Sequence, residues 1–245
     1  MAADMIHTGA YPHQFDYHCG MIVTIDGPAG SGKSTAARKL AARLQIPYLD
    51  TGAMYRAIAY ECLRRGMNLG DEETVGAMAK SLKLDIDCGP TYSRIRVNGN
   101  DVSEAIRTME VSSATSQIAK MATVRKLLVE QQRQIGAKLK SFVTEGRDQG
   151  SVVFPQADVK FVLEASLARR AQRRFEEMVG DGEAVTVDSV EQNLSARDAV
   201  DARQWEPLLS DDRVIILDTS TLTIQEVVDR LVEHVKGIAT PSAKR

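Results

Sequence analysis

The part of the sequence that most clearly carries chemistry is a glycine-rich run that ends in a lysine. It spans residues 27–34, reads GPAGSGKS and satisfies the pattern G-x-x-x-x-G-K-[ST]. Glycines let the backbone curl so that successive N–H groups point at phosphate oxygens, and a helix that begins there adds its partial positive charge. The run follows an apolar segment and opens an amphipathic one, so it predicts a loop that binds the phosphates of a nucleoside triphosphate.

The side chains of this loop have expected roles. Lys33 bridges the β- and γ-phosphates, and the hydroxyl of Ser34 holds Mg²⁺. We expect the triphosphate to contact the loop and the start of the following helix, which are Gly27, Pro28, Ala29, Gly30, Ser31, Gly32, Lys33, Ser34 and Thr35.

The loop alone does not say what happens to the γ-phosphate. A GTPase needs a guanine-reading N-K-x-D segment, which the sequence lacks. A motor or helicase ATPase usually carries an apolar strand that ends in Asp-Glu, and neither 159–164 nor 213–218 does so. A site for a second substrate is therefore expected.

Two further polar segments are candidates for that site. Residues 50–56 read DTGAMYR and residues 145–150 read EGRDQG, and each follows a predicted strand. Because ligands of parallel sheets bind beyond the carboxyl ends of strands, Thr51 and Arg56 are placed to meet an anion. The neighbours Arg147 and Asp148 could form an ordinary surface ion pair, but their place beside a phosphate loop favours a binding site.

The elements that must position these segments alternate between strand and helix. Buried parallel strands are indicated by short apolar runs at 22–26, 46–50, 142–146, 158–164 and 213–218. Helices are indicated by amphipathic patterns at 34–44, 53–65, 104–118, 121–140, 166–179, 187–203 and 223–236. This alternation predicts an α/β fold with a doubly wound, five-stranded parallel sheet.

Two stretches interrupt the alternation. Residues 82–102 alternate apolar and polar positions between turn signals, which predicts a small antiparallel insert. Residues 167–185 form a charged helix that runs into a Gly-Asp-Gly turn, which is typical of a mobile lid. We therefore expect a core made of residues 21–81, 119–166 and 186–237, an insert over 82–118, a short lid over 167–185 and a frayed tail over 238–245.

Composition excludes several other classes. With 245 residues, 43% hydrophobic and 26% charged, the chain can bury a core as one domain, and a net charge of −2 provides no general field for nucleic acid or an anionic membrane. Its three cysteines are scattered and fit a reducing cytosol. No apolar run approaches the ~18 residues of a membrane helix, and no secretory signal is present. We expect a cytoplasmic monomer that binds neither nucleic acid nor membrane.

Residues 1–20 show no usable periodicity. They indicate a disordered extension or a start codon placed too early, because the first predicted strand begins directly after Met21. The spacing of His13, His18 and Cys19 matches no zinc pattern.

A series of segments, taken in order, resembles bacterial cytidylate kinases. The segments are GPAGSGKST, DTGAMYR, NGNDVSEAIRT, EGRDQGSVVFP, RRAQRR, ARDAVDAR and PLLSDDRVIILDT, and the resemblance runs from about Met21 to Gly237. The phosphate loop is common to many NTPases, whereas the combination of DTGAMYR, the insert and GRDQG is specific. The resemblance implies transfer of the γ-phosphate of ATP, with Mg²⁺, to CMP or dCMP, on a five-stranded core with a nucleoside-monophosphate (NMP) insert and a lid.

The resemblance also implies roles for individual residues. It places Thr51, Tyr55, Arg56 and Arg147 around the acceptor nucleotide and its phosphate. It assigns Ser116, Arg125 and Asp148 to the cytosine edge, and it assigns Arg197 and Asp201 to the ribose. Arg203 belongs to the same acceptor site. Arg170, Arg173 and Arg174 correspond to lid arginines that, with Lys33 and Arg147, face the transferring phosphoryl group.

Two positions depart from the family pattern. Glu145 stands where the family has Asp, and we expect little effect from the longer carboxylate. Arg203 arrives one residue early, which turns it by about 100° on a helix, yet we expect it still to contact the acceptor pocket. Two alternatives stay open at this point: a small kinase for UMP, AMP or another acceptor, and a nucleotide sensor without catalysis.

Overall fold

The computed structural model describes residues 20–180, 182 and 184–239, and at residues 197, 199–204 and 239 it describes the backbone alone. The predictions for the N-terminal extension before Gly20, including those for His13, His18 and Cys19, lie outside the described residues. The prediction for the tail after residue 239 lies outside them as well.

A five-stranded parallel sheet forms the centre of the molecule, with the strand order β2-β6-β1-β7-β8. Its strands are β1 (Ile22–Asp26), β2 (Tyr48–Asp50), β6 (Phe142–Glu145), β7 (Val159–Glu164) and β8 (Val214–Asp218). The central strands are apolar along their length because helices cover both faces of the sheet. Val23 and Phe161 contribute to one buried cluster, whereas Phe142 contributes to another. The predicted fold class is confirmed.

Eight helices surround or extend this sheet within the described residues. They are α1 (Lys33–Leu44), α2 (Thr51–Arg64), α3 (Glu72–Ser81), α4 (Met109–Ile118), α5 (Ala122–Leu139), α6 (Leu167–Gly180), α7 (Val187–Trp205) and α8 (Ile224–Ala239). Helices α1 and α8 pack on one face of the sheet, where Leu40 and Leu231 are fully buried. Because α1 and α2 begin at or just after the carboxyl ends of β1 and β2, their amino ends meet at one edge of the sheet.

Helix α3 is not predicted by the sequence patterns above. Its start signal is Asp71, whose carboxylate accepts a hydrogen bond from the backbone N–H of Thr74 at 3.0 Å. The buried face of α3 is short and includes Val75 and Met78. This small apolar face gives a weak periodic signal, although the cap followed by two glutamates was readable in the sequence.

The predicted antiparallel insert is present as a three-stranded sheet in the order β3-β4-β5. Its strands are β3 (Leu84–Cys88), β4 (Ser93–Val97) and β5 (Asn100–Asp101). Ile95 and Val97 of β4 point into the same buried cluster as α2, α4 and α5. The insert is therefore packed against helices α2, α4 and α5.

Among the described residues, no helix is both long enough and apolar enough to cross a membrane.

Candidate active site

The loop between β1 and α1 has the backbone that the glycine pattern predicts. Gly27, Gly30 and Gly32 have φ angles of +135°, +77° and +89°, which L side chains rarely adopt. A Cβ on Gly27 would lie 2.3 Å from the carbonyl oxygen of Leu163 on the neighbouring strand. Glycine is therefore required at residue 27 both by conformation and by the close approach of β7.

Lys33 and Ser34 open helix α1 at the end of this loop. The ammonium of Lys33 donates a hydrogen bond to the carbonyl oxygen of Pro28 at 2.6 Å, and the residue is only 8% exposed. The hydroxyl of Ser34 donates to Oε1 of Glu145 at 2.9 Å. The loop is thus tied to the end of strand β6, where the second polar segment begins.

The first acceptor segment starts at the carboxyl end of β2. Asp50 caps helix α2 by accepting a hydrogen bond from the N–H of Ala53 at 2.8 Å. The same carboxylate accepts two hydrogen bonds from the guanidinium of Arg56, at 2.9 and 3.2 Å. The hydroxyl of Thr51 donates to the carbonyl oxygen of Glu145 at 2.7 Å. These contacts fix Arg56 and Thr51 at the same edge of the sheet as the phosphate loop.

Glu145 ends strand β6 and is the buried carboxylate at the centre of this edge. Burial and the nearby charge of Asp50 raise the pKa of Glu145, while Lys33 and the Ser34 hydroxyl oppose that shift. The hydroxyl of Tyr48 also lies 3.5 Å from Oε1. The longer carboxylate therefore reaches the hydroxyl of Ser34 directly.

Asp148 and its partners form the far wall of the site. Nη2 of Arg125 makes a very close ion pair with Oδ2 of Asp148, which is 5% exposed. Tyr55 lies half-buried beside them, and burial together with the charge of Asp148 raises its pKa to about 12. Asp148 therefore pairs with Arg125 from helix α5, so it is not part of an isolated surface pair with its chain neighbour.

These groups line one cleft of about 690 Å³ between the phosphate loop and helices α2 and α4. The cleft brings together most of the acceptor residues predicted from the sequence, namely Thr51, Tyr55, Arg56, Arg125, Arg147 and Asp148. It also contains the loop residues Ala29, Gly30, Gly32, Lys33, Ser34 and Thr35. A site for two substrates is thus continuous within the described residues.

Helix α4 contributes to the cleft with residues that the sequence reasoning missed. Ser112 and Thr115 line the cleft, together with Arg107 just before the helix, whereas the predicted Ser116 is half-buried and does not line it. Ser112, Thr115 and Ala119 recur at helical spacing, so one face of α4 was readable as polar and small.

The three predicted lid arginines on α6 have different surroundings. Arg173 and Arg174 line the cleft. The guanidinium of Arg170 is buried behind it, where it donates to the carbonyl oxygen of Ala29 at 3.1 Å and pairs with Asp198 of α7 at 2.5 and 3.0 Å. Arg173 and Arg174 therefore line the cleft, whereas Arg170 does not.

Helix α7 continues without a break through the segment in which the family pattern is one residue short. It ends only at Trp205, so Arg197, Asp201 and Arg203 all have helical backbone. The side chains of these three residues lie outside the described part of the structure, and their predicted contacts stay predictions.

The parallel sheet, its glycine loop and the adjoining basic cleft define a P-loop phosphotransferase with a second substrate site. The chain belongs to the cytidylate kinase family, because the family model described as cytidylate kinase matches residues 23–237. The resemblance seen in the sequence motifs is therefore confirmed.

Individual relatives agree with this assignment. The cytidylate kinase of Clostridioides difficile (strain 630) is 41% identical over 216 residues, which are 88% of this chain and 98% of the relative. The cytidylate kinase of Bacillus subtilis (strain 168) is 41% identical over 215 residues, covering 87% and 96% of the two chains. Among solved structures, an uncharacterized protein from Eubacterium ventriosum ATCC 27560 has a TM-score of 0.50 at 11% identity, covering 89% of this chain and 99% of that one, which reflects the fold alone.

Proposed function

We propose that this enzyme transfers the γ-phosphate of ATP to CMP and dCMP, giving CDP or dCDP and ADP. The observation that carries the proposal is the single cleft that joins the phosphate loop to the pocket of Arg56, Arg147 and Asp148. Family membership and the cytidylate kinases that match nearly the whole folded chain support the same acceptor.

The proposed chemistry is an in-line displacement at the γ-phosphorus. An oxygen of the CMP phosphate forms the new P–O bond, the bond to the bridging oxygen of ADP breaks, and ADP leaves with the electron pair. The attacking oxygen is already anionic, so no strong general base is needed. What the protein must supply is positive charge and alignment, which fits a cleft lined by arginines and Lys33.

Each arginine has a proposed place in that step. Arg56 and Arg147, at the carboxyl edge of the sheet, hold the acceptor phosphate together with Thr51. Arg173 and Arg174 meet the transferring phosphoryl group from helix α6. Arg170, for which the same role was expected, supports the phosphate loop from behind through its hydrogen bond to Ala29.

The base would be read by the pair of Arg125 and Asp148. A carboxylate accepts a hydrogen bond from the 4-amino group of cytosine and repels O4 of uracil, a mismatch that costs roughly 1–3 kcal/mol. Tyr55 closes this pocket from helix α2. We propose that Arg197 and Asp201 of helix α7 face the ribose and that Arg203 contacts the acceptor pocket. Ser116, which was expected at the cytosine edge, is half-buried and does not line the cleft, so the proposed contacts with the base do not include it.

The residues present fit a Mg²⁺ ion that arrives with ATP. No cluster of three or more His, Cys, Asp or Glu side chains that could hold a metal occurs among the described residues. Mg²⁺ characteristically takes few protein ligands and several phosphate oxygens, so the hydroxyl of Ser34 with Glu145 behind it suits such an ion. When bound, the ion neutralises negative charge on the phosphates.

We also propose that the enzyme is a cytoplasmic monomer. Within the described residues, one chain supplies the phosphate loop, the acceptor pocket and the part of helix α6 that line the cleft.

The test is release of ADP with ATP and Mg²⁺ against CMP, dCMP, UMP, AMP and GMP. CMP and dCMP are expected to have much higher kcat/KM than UMP or AMP. Asp148→Asn is expected to narrow the difference between CMP and UMP, because an amide can donate to O4. The control is Asp229→Asn, which removes a surface ion pair with Arg43 far from the cleft. A wild-type enzyme that uses UMP as well as CMP would contradict the cytosine-reading pocket, and absence of ADP with every acceptor would indicate a sensor.

A further inference from the structure

A buried carboxylate connects the two halves of the cleft without lining it. Asp26 is the last residue of β1, directly before Gly27, and it has no exposed surface. Its two carboxylate oxygens accept hydrogen bonds from the backbone N–H groups of Gln149 and Gly150, each at 2.8 Å. Asp26 therefore holds the chain just after Arg147 and Asp148, more than a hundred residues away in sequence.

The held segment is also confined by its surroundings. Gly150 lies so close to β1 that a Cβ there would be 2.9 Å from the hydroxyl of Thr24 and 3.3 Å from Oδ2 of Asp26. The side chain of Gln149 is buried, and its amide bonds to Thr144 at 3.2 Å and to Gln132 of α5 at 3.3 Å. Asp26 of β1 and Gln132 of α5 thus hold the backbone after Asp148 in one position.

A buried carboxylate is a costly way to satisfy two backbone N–H groups, because an ionised group loses its hydration. The Asp26 carboxylate also fixes the path of the loop that carries Arg147 and Asp148 from strand β6 into the cleft. We propose that Asp26 is a positioning residue for the acceptor: it fixes the loop that presents Arg147 and Asp148 and sets the distance between this loop and the phosphate loop. The inference rests on the proposed function of that loop in binding CMP.

The charged groups that face Asp26 make its ionisation a useful reporter. Burial raises the pKa of Asp26 to about 7, the two N–H donors and Lys33 of α1 oppose the rise, and the charge of Asp148 adds to it. From the turn after α7, the apolar side chain of Leu208 packs beside Gly150. Raising the pH through about 7 therefore ionises the carboxylate and strengthens its two hydrogen bonds.

The experiment compares Asp26→Asn with Asp158→Asn. Asp158 is a matched control, since its carboxylate accepts a backbone hydrogen bond from Ile22 at 2.8 Å at the opposite end of the same strand. For each variant we would measure the Kd of CMP by calorimetry, KM for CMP and for ATP, and the melting temperature. In the wild type without substrate, the amide signals of Gln149 and Gly150 would be followed by NMR from pH 5.5 to 8.5.

For Asp26→Asn we expect the Kd and KM of CMP to rise roughly tenfold or more while KM of ATP changes much less, because a small displacement of positioning groups is sufficient for such losses. Asp158→Asn should leave all three constants unchanged. In the wild type, both amide signals should titrate near neutral pH. Equal CMP binding in Asp26→Asn and wild type would overturn the proposal. If Asp26→Asn does not fold, hydrogen exchange of the Gln149 and Gly150 amides in the wild type that is as fast as that of exposed amides would overturn the proposal, because Asp26 would then not hold them.

These outcomes are distinct from failure of the proposed function. A wild type that does not phosphorylate CMP would refute the kinase assignment, whereas the NMR measurements on the Gln149 and Gly150 amides need no substrate.

Discussion

At the residue scale, the cleft is built on buried carboxylates that face a buried lysine. Burial raises the pKa of both Asp26 and Glu145, and the charge of Lys33 lowers both. Lys33 is therefore a counter-charge within the protein in addition to its proposed contact with the phosphates of ATP. Because Lys33 both offsets the buried carboxylates and is proposed to contact the phosphates, the stability of the site depends on the same side chain as its chemistry.

Lys33→Ala is expected to abolish phosphoryl transfer while the fold is kept. The ammonium lies at the phosphate loop, where it donates to the carbonyl of Pro28, and α1 is anchored by apolar residues elsewhere. The measurement is kcat with ATP and CMP, together with far-UV circular dichroism. Lys39→Ala, an exposed change on the same helix, is the control. Retention of more than about a tenth of wild-type kcat, a loss below ~1.4 kcal/mol, would contradict the role of Lys33.

At the element scale, two arginines of helix α6, Arg170 and Arg174, make different contacts with the rest of the molecule. Through Arg170 it is bound to the phosphate loop and to α7, and the side chain of Arg170 is only 6% exposed. Through Arg174 it faces the cleft, where the guanidinium pairs with Glu177 and is 29% exposed. The same helix thus carries one buried arginine that supports the fold and another that is partly exposed in the cleft.

This difference predicts that substitution of Arg170 lowers the melting temperature, whereas the matched substitution of Arg174 lowers kcat. Arg170→Met should lower the melting temperature by roughly 5 °C, because it leaves the partly buried Asp198 without its partner, at a cost of about 2 kcal/mol. Arg174→Met should leave the melting temperature nearly unchanged and lower kcat. Thermal unfolding and steady-state kinetics of both variants provide the measurement. A stable Arg170→Met variant with normal kcat would show that its contacts are dispensable.

At the scale of the whole molecule, the cleft and the beginning of strand β1 lie at opposite edges of the sheet. The cleft is at the carboxyl ends of the strands, whereas the N–H groups of Gly20 and Met21 donate to the hydroxyl of Ser141 at 3.1 and 3.0 Å at the other edge. The family match begins at residue 23. Every described residue of the cleft follows Gly27 in the chain.

A chain that begins at Met21 is therefore expected to keep full activity and a nearly unchanged melting temperature. Strand β1 starts at Ile22, and its buried contacts are made by residues retained in this shorter chain. The control is a chain that begins at Thr24, which removes the fully buried Val23 and should not fold stably. A melting temperature lower by more than a few degrees in the Met21 chain, about 1 kcal/mol at this size, would show that the removed residues stabilise the protein.

The sequence by itself determined the fold class, the phosphate loop and the two acceptor segments of this protein. These features can be predicted because each depends on residues close together in the sequence. Glycines with positive φ, apolar runs of strand length and helix starts each involve only a few neighbouring residues. Helix α3 was missed because its apolar face is small, although its capping aspartate was visible in the chain.

Only the tertiary structure decided which partners meet. Asp148 pairs with Arg125, Arg170 pairs with Asp198, and Asp26 accepts from Gly150, yet none of these distances follows from spacing along the chain. The physical reason is that such contacts join different elements, so they depend on the register of the sheet and the packing of helices upon it. The same packing faced Ser112 and Thr115 of α4 toward the cleft in place of Ser116, because only one side of a packed helix can line a cavity.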